Sequence, residues 1–409
     1  MNEVASPSKS TWVNRIGPGL VTACVVIGPG SILTSSKVGA QAGYSNLWVI
    51  VVAVGMMMTY VTMGMRLGAV TNVSIAQLVR DHLHPAVAVV IGVTVFFIAS
   101  AFQFGNNLGT QAALSSYFDS NYWPLVLNGI VLMILFGFAN LYKVLERLMA
   151  CFVGIMLLAF TINLAFARPS VTEVARGLVP LDGIELELPL LGLVGTTFVI
   201  SAAYYQSYLA RFKGWTPANL RDGVADAGLS AIIMGLISAM IMATAAAVLR
   251  HRELESVGEV ADALVPLFGE KGRVIFCVGL FAAAFSSFIV NSMIGGFILS
   301  DALRWGDRPD QKAPKALTAA VLLIGMVVAM YVVMTGVRPF TAIVAAQALT
   351  VIASPLIAGT MLYLCNLRTV MGEYRNGWML NTLAVPGFIV LVGISFYTLT
   401  QKVWPAIAG

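Results

Sequence analysis

The stretch "VVIGPGSILTSSK" (residues 25–37) places Gly-Pro-Gly inside an apolar segment that is long enough to cross a bilayer. In hydrocarbon every backbone polar group must be paired, so a helix is interrupted at membrane depth only where the interruption is buried in protein or lines a cavity. We therefore predict a discontinuous helix at Gly28–Gly30, whose freed carbonyl and N–H groups face a ligand. These residues alone leave open the alternative of a simple proline kink without a ligand.

The chain as a whole has the composition of a polytopic membrane protein. Its 409 residues are 58% hydrophobic and 11% charged, whereas soluble domains are about a quarter charged. We predict a single transmembrane domain over residues 1–409, with no cofactor and no enzymatic activity. Apolar segments of spanning length are predicted at about 16–43, 46–65, 85–115, 123–141, 147–167, 188–210, 224–249, 273–301, 316–334, 340–365 and 378–400.

A second polar interruption falls in the sixth segment, "LGLVGTTFVISAAYYQS" (residues 191–207). We predict a helix break near Val199–Ser201. Breaks in the first and sixth of eleven helices are typical of a secondary transporter built from two inverted repeats of five helices. The predicted fold is therefore all-α and integral to the membrane, with repeats at about 16–167 and 188–365 and an extra helix at about 378–400.

The charged residues predict the orientation in the membrane. Of the 24 Lys and Arg, fifteen fall in loops on the side of the N-terminus, eight fall in the opposite loops, and Lys37 lies within a span. The positive-inside rule then places the N-terminus in the cytoplasm and the C-terminus outside. Basic residues scattered between apolar spans argue against a nucleic-acid surface. The expected partners are the lipid bilayer and a small-molecule or ion substrate.

Carboxylates and histidines are absent from the middle of the predicted spans. None of the 19 Asp and Glu lies there, and Glu146, Asp226 and Asp301 fall at helix ends. Gln103 and Asn106 instead share one face of the third span, because residues three apart are neighbours on a helix. Since intramembrane proton relays use Asp, Glu or His, we expect no proton coupling through such a relay.

Several segments resemble the Nramp family of divalent-metal transporters. "RIGPGLVTACVVIGPGSILTSSKVGAQAGYSNLW" is similar to the family's first helix, "MRLGAVTNVSIAQLVRDH" to the stretch after its second, and "LERLMACFVGIMLLAFTINLAFARP" to its fifth. The resemblance covers nearly the whole chain. It implies a LeuT-type inverted repeat with discontinuous helices 1 and 6 and an eleventh helix. It also implies a membrane-transport function, and the expected location is a bacterial inner (plasma) membrane.

The metal-site motifs of that family are changed in this chain. Where the family has Asp-Pro-Gly-Asn in helix 1, residues 28–31 read Gly-Pro-Gly-Ser, and the Met-Pro-His of helix 6 is replaced by residues 199–201, Val-Ile-Ser. Gln103 and Asn106 align with acids that the family uses for proton movement, and Lys37 stands where glutamine is usual. Gln347 matches a family glutamine. The resemblance thus implies a transporter whose site lacks the usual metal ligands.

We expect the remodelled site to bind a small polar solute that is neutral, zwitterionic or anionic, because a dication leaving water needs compensating negative charge. The alternative is a transporter of divalent metal, Mg²⁺ or Mn²⁺, carried in hydrated form. A third possibility is a receptor on a transporter scaffold that does not transport. No resident metal site is expected. The predicted substrate-binding residues are Val25, Gly28, Ser31, Thr34, Thr196, Val199, Ser201 and Gln347, and the predicted pathway residues are Lys37, Gln103 and Asn106.

Overall fold

The computed structural model describes residues 17–137, 141–180, 188–336 and 339–400, without the side chains at 141, 188, 267 and 339–352. In these parts of the chain the regular structure is helical. The helices are α1 (Pro18–Val26), α2 (Pro29–Ala42), α3 (Leu47–Thr71), α4 (Ile75–His82), α5 (Pro85–Ser115), α6 (Trp123–Gly137), α7 (Leu141–Ala167), α8 (Val171–Gly177), α9 (Leu188–Thr197), α10 (Ile200–Phe212), α11 (Leu220–Val248), α12 (Val257–Ala302), α13 (Lys312–Thr335), α14 (Pro339–Asn366), α15 (Arg368–Met371) and α16 (Trp378–Thr398).

Each predicted apolar segment coincides with one of these helices or with an interrupted pair. Within the described ranges, seven helices are long and apolar enough to cross a membrane, and α1 and α2 together pass the same test with a bend of 55° between them. The all-α membrane architecture predicted from the sequence is confirmed. Both predicted interruptions are present, between α1 and α2 and between α9 and α10.

The first interruption follows directly from its residues. Gly28 is extended (φ −125°, ψ 179°), which leaves the helical region, and Pro29 then occupies the first position of α2. Proline suits that position because its fixed φ is helical and its missing N–H would have no intrahelical partner. In the second interruption Val199 stands at φ −80°, ψ 86°, outside the helical region, and precedes α10, which begins at Ile200.

One segment expected to be a loop is helical instead. The stretch after His251 was predicted as an outer loop, but α12 begins at Val257 and continues, with a break at Gly269 (φ 68°), to Ala302. An N-cap explains the start: Ser256 Oγ accepts the Glu259 N–H at 3.2 Å, and the Glu259 carboxylate accepts the N–H of Glu255, the residue before the cap, at 2.7 Å. The Ser-x-x-Glu sequence is the signal for this motif.

Helices α3 and α10 approach closely along two glycines of α3. A Cβ on Gly64 would lie 2.1 Å from the Ala203 carbonyl oxygen, and one on Gly68 would lie 2.1 Å from that of Ser207. Glycines four residues apart let two backbones meet without a side chain between them. This contact fixes α10, and with it the second interruption, against α3.

We expect Gly68→Val to destabilise the protein, because the added side chain would push α10 away from α3. Overpacking of this kind costs about 1–3 kcal/mol. Gly55→Val on the same helix is the matched control, since no atom lies within 4 Å of a Cβ at that position. Thermal unfolding in detergent checks the prediction, and equal unfolding temperatures for the two variants would contradict it.

A carboxylate from α11 binds the N-terminal end of α1. The Gly17 N–H donates to Asp226 Oδ1 at 2.9 Å, and the Gly19 N–H donates to Oδ2 at 2.6 Å. Lys213 forms an ion pair with Glu146 beside the same end of the helix. The carboxylate satisfies N–H groups that a helix N-terminus leaves without intrahelical partners, and it interacts favourably with the helix dipole.

A second buried carboxylate joins three helices. Asp301 of α12 accepts a hydrogen bond from Tyr208 Oη of α10 at 2.6 Å and from Ser74 Oγ, at the start of α4, at 3.0 Å. Arg80 of α4 donates to the Asp301 backbone carbonyl at 2.6 Å and lies 3.4 Å from Oδ1. Because Asp301 is only 3% exposed, hydrogen bonds from this network replace solvent around its carboxylate.

Candidate functional site at the helix interruptions

A small cavity lies at the interruption between α1 and α2. Its volume is about 10 Å³, which is room for about one water molecule. The helices α1, α2, α5 and α9 supply its walls. The lining residues are Val25, Val26, Gly28, Gly30, Ser31, Ala101, Phe102, Gly105, Asn106 and Thr196. Of the predicted site residues, the structure therefore brings Val25, Gly28, Ser31, Asn106 and Thr196 together.

The hydroxyl groups of the cavity donate hydrogen bonds to backbone carbonyls. Ser31 Oγ donates to the Gly28 carbonyl at 2.9 Å and accepts the Gly28 N–H at 3.0 Å. Thr196 Oγ1 donates to the Leu193 carbonyl at 3.2 Å. Since a hydroxyl has one proton and two lone pairs, these groups offer lone pairs to a ligand. This is the behaviour of cation ligands rather than of anion donors.

Two of the positions at the start of α2 offer no free N–H group. Pro29 has no N–H, and the Gly28 N–H is bonded to Ser31 Oγ. Thr34, predicted as a site residue, is fully buried one turn further on, where Oγ1 donates to the Gly30 carbonyl at 2.9 Å and lies 3.4 Å from Thr196 Oγ1. The start of α2 therefore offers an anion fewer N–H donors than the first turn of a helix commonly does.

Asn106 and Gln103 of α5 have different roles in the structure, although their spacing suggested a joint one. Asn106 Nδ2 donates to Gln103 Oε1 at 3.4 Å, and Asn106 lines the cavity. Gln103 is fully buried and packs against Gly325 of α13, where a Cβ would lie 2.6 Å from its Cγ. Asn106 thus supplies an amide to the cavity, whereas Gln103 contacts the neighbouring helix.

Ser287 of α12 is a residue that sequence reasoning did not assign to the site. Its Oγ donates to the Val25 carbonyl at 3.4 Å, the carbonyl that was predicted to bind the substrate. It also lies 3.2 Å from where a Cβ on Gly28 would stand. The cluster of Ser286, Ser287, Asn291 and Ser292 was visible in the sequence, but any one of them was better explained by contacts between helices.

The remaining predicted residues lie outside the cavity lining. Val199 and Ser201 are buried at the start of α10, and Lys37 is half-buried on α2. The helix α14 contains Gln347, but the side chain of Gln347 lies outside the described residues. These assignments, like those of the cavity residues, remain predictions.

The cavity lining is electrically neutral. None of its ten residues carries a carboxylate, an imidazole, an amine or a sulfur atom. Over the described ranges of the chain, no group of three or more His, Cys, Asp or Glu is placed to hold a metal ion. A ligand in this cavity therefore meets carbonyl, hydroxyl and amide oxygens, all of which are hard, neutral donors.

Two interrupted helices that line one cavity are typical of the secondary-transporter fold with discontinuous helices, and solved structures share this fold. A mutant of the Eremococcus coleocola manganese transporter aligns with a TM-score of 0.82 and 19% identity, over 97% of this chain and 89% of that one. MhsT in complex with L-phenylalanine aligns with a TM-score of 0.58 and 14% identity, over 95% of this chain and 100% of that one. Both likenesses concern the fold.

Sequence comparison gives the family. The profile of the Nramp family, natural resistance-associated macrophage protein-like, matches residues 19–401. The chain belongs to this family of transporters, as the resemblance in the sequence suggested. It is 27% identical to the divalent metal cation transporter MntH of Aeromonas hydrophila, over 98% of each chain. It is 25% identical to MntH of Deinococcus radiodurans, over 96% of this chain and 90% of that one.

Proposed function

We propose that the protein transports a divalent metal cation, Mg²⁺ or Mn²⁺, that keeps part of its hydration shell. The observation that carries the proposal is the hydrogen bonding of the cavity: Ser31 and Thr196 donate their protons to backbone carbonyls and present lone pairs. Membership of the Nramp family and the names of the MntH relatives support the same substrate class. This was the alternative in the sequence analysis, and the comparisons favour it over the polar solute expected there.

A neutral site sets limits on how the ion is bound. Moving a bare dication out of water costs several kcal/mol or more even after relaxation, and the cavity lining supplies no negative charge to offset that cost. Mg²⁺ gives up its water reluctantly and is commonly held by a few protein oxygens together with several waters. We therefore expect weak binding of a partly hydrated ion, in a conformation wider than the closed cavity.

A small polar solute is the second candidate, because no carboxylate lines the cavity. It differs from a metal ion in what it needs from the site. An anionic or zwitterionic solute requires donors, whereas Ser31 and Thr196 offer acceptors. A thermal-shift screen of metals beside polar metabolites separates the two: stabilisation by a metabolite and by no divalent metal would favour this second candidate.

Metal uptake into proteoliposomes tests the proposed function directly. We expect Mg²⁺ and Mn²⁺ to enter, and Asn106→Leu to reduce uptake by at least about tenfold because an oxygen ligand is lost; a tenfold change corresponds to about 1.4 kcal/mol. Asn163→Leu is the control, since Asn163 is equally buried on α7 and donates to the Ala159 carbonyl of its own helix. Absence of uptake of either ion by the unmodified protein would contradict the proposal.

We expect this uptake to proceed without coupled proton movement. None of the residues that line the cavity titrates, and amides stand at positions 103 and 106, where the family places acids. Without a group that exchanges protons beside the substrate, metal and proton movements have no local coupling. A pH-sensitive dye inside the liposomes measures this, and acidification in step with Mn²⁺ entry would show the expectation to be wrong.

Orientation and internal symmetry complete the proposal. We infer that the protein lies in the bacterial plasma membrane with its N-terminus in the cytoplasm, as the distribution of Lys and Arg favours. We also infer that residues 16–167 and 188–365 are the two inverted repeats and that α16 is the additional helix. The equivalent positions of the two interruptions, in the first and sixth spans, support this division.

A further inference from the structure

Two polar side chains from separate helices meet at Gly28. If residue 28 carried a Cβ, Ser287 Oγ of α12 would lie 3.2 Å from it and Asn106 Oδ1 of α5 would lie 3.4 Å from it. Both side chains are almost completely buried, at 1% and 2% exposure. The space beside the interruption that a side chain on α1 or α2 would fill is therefore bordered by two oxygen atoms from elsewhere in the fold.

We propose that Ser287 and Asn106 are the side-chain ligands that bind the transported cation at this interruption, in place of a side chain on residue 28. The inference rests on the proposed function, since it assigns the residues that hold the ion. Where the family pattern has metal ligands on the interrupted helix, the side-chain ligands of this chain then come from α12 and α5. Glycine at position 28 suits these two ligands, because a Cβ there would lie 3.2 Å and 3.4 Å from their oxygen atoms and would crowd them.

The hydrogen bonds leave the right atoms for this role. Asn106 uses its amide N–H on Gln103, and among the described residues its Oδ1 accepts no hydrogen bond. Ser287 uses its proton on the Val25 carbonyl, which leaves the lone pairs of Oγ. Amide and hydroxyl oxygens are hard ligands, and hard ions such as Mg²⁺ and Mn²⁺ prefer them.

The same ligand set defines the class of ion. Soft metals gain from thioether or thiolate ligands, but the residues that line the cavity contain no sulfur, and Val199 occupies the position of the family's methionine. Cd²⁺ therefore has no partner that would favour it over Mg²⁺. The site should select hard divalent ions and give no preference to soft ones.

A purely structural role for Ser287 would consist of its hydrogen bond to the Val25 carbonyl at the end of α1. Ser287→Ala cannot separate that role from ligation, because either would be lost. Ser287→Cys can, since it keeps the shape of the side chain with a small increase in volume and exchanges a hard oxygen for soft sulfur. Ligation predicts a change in which metal is preferred, whereas a structural role predicts the same change in affinity for every metal.

The experiment is calorimetric titration of the full-length protein in detergent with Mg²⁺, Mn²⁺ and Cd²⁺. We expect Ser287→Cys to weaken Mg²⁺ binding and strengthen Cd²⁺ binding, and so to shift their affinity ratio by about 100-fold or more. Ser287→Asp should strengthen Mg²⁺ and Mn²⁺ binding by about tenfold, because added ligand charge raises affinity. Ser292→Cys is the matched control: Ser292 is fully buried on the same helix and donates to the Ile289 carbonyl.

The outcomes separate this inference from the proposed function. If the unmodified protein binds Mg²⁺ or Mn²⁺ and the Ser287 variants keep its affinity ratios, the metal function stands and the assignment of Ser287 is overturned. If the unmodified protein binds neither ion, the proposed function fails and the inference fails with it. An equal shift in Ser292→Cys would also overturn the assignment, since Ser287 and not Ser292 is among the nearest neighbours of a Cβ at Gly28.

Discussion

The variant that combines Gly28→Asp with Ser287→Ala is expected to bind Mn²⁺ about 100-fold more tightly than the unmodified protein, because a carboxylate replaces a neutral oxygen at short range. The extended backbone of Gly28 (φ −125°, ψ 179°) is open to aspartate, and residues that precede proline favour this region. Space is the obstacle. Removing the Ser287 hydroxyl clears the atom that would lie 3.2 Å from the new Cβ.

Two further variants test whether the added charge is the reason for the tighter Mn²⁺ binding. Gly28→Asp alone should gain less, since Ser287 Oγ must shift to admit it. Gly28→Asn with Ser287→Ala has the same volume without the charge and should gain little. Adding Ser31→Asn and Val199→Met should move the preference further toward Mn²⁺. Calorimetry measures all of these, and a double variant that binds Mn²⁺ no better than the unmodified protein would sink the prediction.

Replacement of Asp301 by alanine should cost about 3–5 kcal/mol of the free energy of unfolding, the usual penalty for removing one partner of a buried charged pair. Arg80, whose side chain is 11% exposed, would lose its carboxylate partner, and Tyr208 would lose its acceptor. The three helices that meet at Asp301 would then separate more easily.

Asp262→Ala is the control for this variant. Asp262 pairs with Arg273 at 3.0 Å, but its side chain is 63% exposed. Exposed pairs contribute about 0–1 kcal/mol, so this variant should unfold close to the unmodified protein. Denaturant titration in micelles gives both free energies. Similar values for Asp301→Ala and Asp262→Ala would mean that the buried network does not stabilise the fold.

Local sequence signals were sufficient for the fold. Hydropathy located the helices, because spanning segments must be long and apolar. Gly28 and Pro29 located the first interruption, since one leaves the helical region and the other restarts it. The start of α12 was missed even though Ser256 and Glu259 carried the capping signal, because the acidic residues around them suggested a solvated loop.

The site was harder to predict, since its chemistry depends on contacts between distant segments. Ser287 meets Gly28 and Val25 only in the folded chain, more than 250 positions away. The sequence also gave no indication of where each hydroxyl proton points. The proton of Ser31, for example, is bonded to the Gly28 carbonyl. The expectation of a polar solute was based on the missing negative charge alone, and the comparisons do not support it.

The hydrogen bonds between Asp226 and the start of α1 have a mechanical consequence. With nine residues, α1 is a rod about 13 Å long, joined to α2 at a single hinge. A rotation of about 10° around that hinge displaces the far tip by about 2 Å, because displacement grows with the length of the arm. Hydrogen bonds of 2.6 and 2.9 Å do not survive such a displacement. Any tilting of α1 that α11 does not follow must therefore begin by breaking the hydrogen bonds to Asp226. This carboxylate controls whether α1 can move independently of α11.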